Sequence, residues 1–107
     1  MYFIICKFQI EGFHEWKEAP KCFDYLSSRH RHIFEITAIN EVGHADREKE
    51  VNNQRKLIIH YLHEKYGNPC EFGNMSCEAI AKDIAYIFGC SEVRVLEDGL
   101  CGAGYKI

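Results

Sequence analysis

Apolar and polar positions alternate near both ends of the chain and fall on a helical period in its middle. In residues 3–11, Ile4, Cys6, Phe8 and Ile10 point one way and Lys7, Gln9 and Glu11 the other. That two-residue period predicts a half-buried strand, ended by Gly12. From Phe13 to Arg29 no period survives, and Pro20, Ser27 and Ser28 mark a loop long enough to suggest a purpose. Alternation resumes from His30 to Val42. There His30, His32, Phe34, Ile36, Ala38 and Val42 share one face, and Arg31, Ile33, Glu35, Thr37, Ile39 and Glu41 share the other. Gly43 and the polar stretch His44 to Glu50 break the pattern.

Leu57, Ile58, Tyr61, Leu62 and Tyr66 follow at helical spacing, and Gly67 with Asn68-Pro69 stops that helix. A second helix starts near Ser76, a good capping residue, with Glu78 in the first turn, where a negative charge is favoured. Its apolar stripe is Ile80, Ile84, Ile87 and Phe88, and Gly89 closes it. Glu92 to Glu97 reads as a strand, and the glycine-rich Gly102 to Ile107 as another.

The order β-β-α-α-β-β predicts an α+β domain, a four-stranded antiparallel sheet with two helices on one face. With 107 residues and no repeat or linker, the chain reads as one domain over 1–107. A chain of this mass buries about two-thirds of its unfolded surface, enough for one core with little stability to spare. An open-edged sheet of this size favours association, so a homo-oligomer is expected.

Charge narrows the function. Thirteen Lys+Arg against sixteen Asp+Glu leave a net charge of −3, which disfavours a nucleic-acid partner read through its phosphates. The apolar run Tyr2 to Cys6 stops at Lys7, too short for a bilayer and without the marks of an export leader. No membrane partner and a cytoplasmic location are therefore expected. Cys6, Cys22, Cys70, Cys77, Cys90 and Cys101 are scattered with no C-x-x-C, and read as reduced thiols.

Three features carry candidate chemistry. In His30-Arg31-His32 the two imidazoles, two residues apart on a strand, project to one side. If the first two strands pair antiparallel, His14 returns beside them. Three neutral imidazoles with an open fourth position suit a catalytic or ligand-binding zinc. The same residues also suit ordinary strand ends and an exposed loop; the readings differ in whether the rings converge. Glu97 shares a face with Val93 and Val95, where a carboxylate is costly unless it meets donors. It either takes a bidentate contact from a planar heterocycle with adjacent N–H and NH₂ groups, or ends its strand in solvent at Asp98-Gly99. Ser76-Cys77-Glu78 reads as a helix start whose free N–H groups could also meet a ligand. His60 with His63, the Arg47 to Glu50 cluster and Gly102-Ala103-Gly104 read as surface or structural features.

Together these residues resemble the 6-pyruvoyl-tetrahydropterin synthase family, which includes the 6-carboxy-tetrahydropterin synthases of queuosine biosynthesis. The likeness rests on Gly12-Phe13-His14, His30-Arg31-His32, Ser76-Cys77-Glu78-Ala79-Ile80-Ala81, Val93-Arg94-Val95-Leu96-Glu97 and Ala103-Gly104-Tyr105. It implies the tunnelling fold, in which β-β-α-α-β-β subunits assemble side by side into a barrel. It further implies zinc on His14, His30 and His32, a pterin edge anchored by Glu97, and a pocket lined by Ser76, Cys77 and Glu78. Two departures stand out. Leu26 occupies the place of the family's catalytic cysteine, and its Leu-Asp-His motif is missing from a shortened stretch, Glu64 to Asn74. The expectation is a divergent member that binds zinc and a pterin-, purine- or nucleotide-like ligand at subunit interfaces, sequestering a nucleotide-derived signal as a small phage-type protein could. The alternative is an active zinc-dependent lyase of pterin or deazapurine metabolism, with Cys22, His60 or His63 substituting for the missing groups.

Overall fold

The computed structural model describes residues 1–107. In chain order the elements are β1 (Tyr2–His14), a 3-10 segment (Lys21–Leu26), β2 (His30–Val42), α1 (Val51–Tyr66), β3 (Cys70–Gly73), α2 (Cys77–Phe88), β4 (Glu92–Glu97) and β5 (Cys101–Lys106). They form an α+β structure with one five-stranded mixed sheet in the order β3-β1-β2-β4-β5. The β1–β2, β2–β4 and β4–β5 pairs are antiparallel as expected, while β3 joins β1 in parallel. The expected four-stranded antiparallel sheet is thus extended by a fifth strand. With only four residues, β3 offers too little alternation to stand out from a helix-to-helix connection.

Inward positions of the sheet (Phe8, Ile10, Phe34, Ile36, Ala38, Val93 and Val95) pack with Ile58 and Leu62 of α1 and Ile80, Ala81, Ile84 and Ala85 of α2 in a single core. Both helices therefore cover the same face of the sheet. Asn40 is also inward and buried; its amide donates to the Phe88 carbonyl (2.9 Å) and its oxygen accepts from Gln54 (3.3 Å). Four cysteines, Cys6, Cys70, Cys77 and Cys90, are buried as small apolar residues, and Cys22 and Cys101 are exposed, all as free thiols. The opposite sheet face leaves Phe3 and Ile5 more than half exposed, and no helix is long and apolar enough to cross a membrane. The accessible surface, 6668 Å², exceeds the roughly 6,200 Å² of a compact monomer of this mass, in keeping with extents of 51 × 25 × 21 Å.

Two element boundaries differ from the expected ones by more than one residue. Strand β1 runs through Gly12 to His14, because Gly12 provides room for packing instead of a stop. A side chain there would meet the Phe72 ring at 2.8 Å and the Phe34 ring at 3.1 Å. Helix α1 begins six residues before Leu57, at Val51, because the Glu50 carboxylate caps it, accepting from the Asn52 and Asn53 amides at 2.9 and 3.1 Å.

The β4–β5 hairpin forms one wall of the site described below, and Gly102 sets how closely its strands approach. A methyl at Gly102 would lie 1.8 Å from the Val95 carbonyl oxygen and 2.7 Å from Leu96 Cα, both backbone atoms that cannot swing aside. Gly102→Ala should cost about 2–3 kcal/mol in a urea titration, towards the upper end of overpacking penalties. A midpoint within error of wild type would show that the strands separate freely.

Candidate metal centre and adjoining cleft

The strand register brings the three histidines together. His14 ends β1 opposite His30, the first residue of β2, and His32 lies opposite Gly12. Glu97 ends β4 opposite Phe34. All four side chains stand on the helix-covered face at one end of the sheet. One donor atom from each of His14, His30, His32 and Glu97 falls within 4.8 Å of the others, so the group could hold a metal ion. The ring centroids are 4.6 Å (His14–His30), 5.1 Å (His30–His32) and 5.3 Å (His14–His32) apart. Phe34 forms the floor, edge-on to His14 at 5.2 Å and to His32 at 5.6 Å.

Each ring is held through Nδ1. His14 Nδ1 meets the Met75 carbonyl at 3.0 Å, His30 Nδ1 the Ser28 carbonyl at 2.9 Å and His32 Nδ1 the Asp98 carboxylate at 2.7 Å. These partners only accept hydrogen bonds, so each Nδ1 carries the hydrogen and each neutral ring keeps a bare Nε2. Metal-binding histidines are typically oriented in this way.

The Nε2 atoms of His14 and His32 lie 2.7 and 3.3 Å from one Glu97 oxygen. Although His14 Nε2 is that close, it is buried without any contact of hydrogen-bond geometry. Lone pairs of neutral imidazoles facing a carboxylate require a positive charge among them, from protons or from a cation. The donor set could hold a metal ion, and the orphaned His14 nitrogen is one of its donor atoms.

Asp98 is a supporting residue that the sequence reading treated only as part of a turn. At φ 55°, in the left-handed region that aspartate tolerates, it uses both carboxylate oxygens. Oδ2 takes the His32 hydrogen, and Oδ1 accepts from the Ile33 amide at 2.9 Å. The His32 contact, with the Ile33 amide second, holds the Asp98 carboxyl below the usual carboxylate range. An Asp directly after an inward Glu at a strand end was the available signal.

A cleft of about 490 Å³ opens beside the cluster, a size suited to a small molecule. Its lining includes His14, His30 and Glu97 together with Ser76, Cys77 and Glu78, so six of the seven candidate residues meet there, and His32 completes the imidazole trio alongside. Ser76 caps α2, its hydroxyl accepting from the Ala79 amide at 3.1 Å. Burial pushes the Cys77 thiol up to about 12, with Glu97 and Glu78 adding to the effect. Trp16, Asn74 and Cys101, none of them a candidate from the sequence, also line the cleft. Trp16 is placed by its amide, which donates to the Leu26 carbonyl at 2.8 Å, and by stacking on Phe23. Leu26 reaches the cleft wall, whereas Cys22, His60 and His63 do not line it.

No protein-family model and no curated protein matches the chain.

Proposed function

We propose that the chain is a divergent pterin-synthase-like protein in which His14, His30 and His32 hold zinc and the adjoining cleft receives a pterin-, purine- or nucleotide-like heterocycle. The heterocycle is held without being converted, so the protein sequesters a nucleotide-derived compound. One observation carries this reading: three imidazoles, each with Nδ1 committed to an acceptor, converge with an inward carboxylate at the end of a cleft. Zinc favours such a nitrogen-rich set, and tetrahedral bonds of 2.0–2.1 Å would separate its ligands by about 3.3 Å. Glu97 is within reach as a fourth ligand or, turned outward, as an acceptor for adjacent N–H groups of a heterocycle.

Binding is favoured over conversion because the cleft lacks a poised nucleophile. Of its two thiols, Cys77 is buried and held protonated, Cys101 is exposed with no hydrogen-bonded base, and Cys22 is outside the lining. Assembly into a barrel of copies accords with the free sheet edges: β3 covers only Gly12–His14 of β1, and nothing pairs with the far side of β5.

The test is metal analysis of purified protein with mass spectrometry of molecules released by heating. The expected result is about one zinc per chain and a nitrogen heterocycle that leaves unchanged. Dihydroneopterin triphosphate incubated with the zinc-loaded protein should persist. Its consumption would establish the lyase instead, and failure to retain any added zinc would end the reading.

A further inference from the structure

We infer that the cleft selects against phosphate: it takes an uncharged or cationic nitrogen-rich molecule, a free base or nucleoside as opposed to a nucleotide. This rests on the proposed heterocycle site and narrows it. Glu15, Glu78 and Glu97 supply three carboxylates to the lining, which contains no lysine or arginine. Lys17 and Arg29 lie near Glu15 but are not part of the lining. Lys17 Nζ lies 3.9 Å from Glu15 and is largely exposed, while Arg29 is paired with Glu71 and stacked over Phe13, 3.6 Å from the ring centroid.

His14 gives the cleft its point of attachment. It is more than nine-tenths buried, and its Nε2 is unpartnered beside Glu97. A divalent ion there offsets two of the three negative charges. Because Glu97 already reaches His14 and His32, a phosphate would have to displace that carboxylate to reach the ion, then face Glu15 and Glu78 in a partly desolvated space. Like charges at such range repel strongly when water is limited. A neutral ring with adjacent N–H donors suits the same carboxylates, and Trp16, 44% exposed at the wall, offers an indole for stacking.

The experiment is calorimetric titration of the zinc-loaded, full-length protein in its native assembly with guanosine, GTP, neopterin and neopterin triphosphate. Each unphosphorylated compound that binds should do so at least tenfold more tightly than its triphosphate. Raising salt from 0.05 to 0.5 M should shrink that ratio by screening, and Glu15→Gln and Glu78→Gln should each shrink it further. Equal or tighter binding of a triphosphate would overturn the inference while leaving the heterocycle site standing. A ratio indifferent to salt and to both variants would overturn the electrostatic cause. If none of the four compounds binds protein that retains its zinc, the heterocycle reading fails, and the inference fails with it.

Discussion

The His14→Ala protein is expected to lose the proposed zinc while keeping its fold. His14 is the most buried of the donors and the one whose Nε2 has no hydrogen bond. Removing it leaves two imidazoles at one end of the sheet and a carboxylate with one fewer partner. Competition with a chelator should show zinc affinity falling by more than about 100-fold, beyond the tenfold-to-100-fold loss usual when a residue behind a ligand is removed. Asp98→Ala is expected in that smaller range, since it frees the His32 ring without deleting a donor. Asp98→Asn should recover part of the loss, because an amide oxygen can still accept the Nδ1 hydrogen. Near-ultraviolet circular dichroism reports whether the packing survives. Full retention of zinc by His14→Ala would show that the convergence of these rings has nothing to do with a metal.

The largest effect on stability is expected at Phe34. This ring is fully buried, edge-on to Phe72 at 5.3 Å, and supports His14 and His32 from below. Phe34→Ala removes a whole aromatic from a packed interior and should cost about 3–5 kcal/mol. For a domain of this size that corresponds to a Tm lower by more than about 10 °C. Leu57→Ala, on a half-exposed face of α1, is the contrasting control, expected to change stability by about 0.5 kcal/mol or less. The Phe34 variant should also bind zinc more weakly, because two of the three rings lose their support. Excess zinc should in turn restore part of its Tm, since a ligand that prefers the folded state stabilises it by mass action. A Tm within a few degrees of wild type would show that the floor of the site is not part of the core.

Much of this arrangement could be read from residue order. The two-residue period of β2 puts His30 and His32 on one face, antiparallel pairing of β1 with β2 is the condition that returns His14 beside them, and the period of β4 puts Glu97 with Val93 and Val95. What the sequence hid had local physical causes. Gly12 looks like a terminator, but the Phe72 and Phe34 rings need the space its missing side chain leaves. Glu50 sits in a run of charges, and only its hydrogen bonds to Asn52 and Asn53 distinguish a cap from a solvated residue. Phe72 lies in a strand too short to reveal a period. The Nδ1 partners of His14 and His30 are backbone carbonyls, which carry no residue-type signal at all. Trp16 and Asn74 belong to connecting segments, where no periodicity exists to orient a side chain.

The donors of the centre are spread along the polypeptide from His14 to Glu97, and the last of them arrives on a strand that docks against the middle of β2. During synthesis the imidazole trio can form as soon as β1 and β2 pair, well before the carboxylate and the supporting Asp98 have been translated. If the proposed metal is bound, a nascent chain that has not yet made β4 could offer it only the three imidazoles, and the carboxylate would join once β4 pairs with β2.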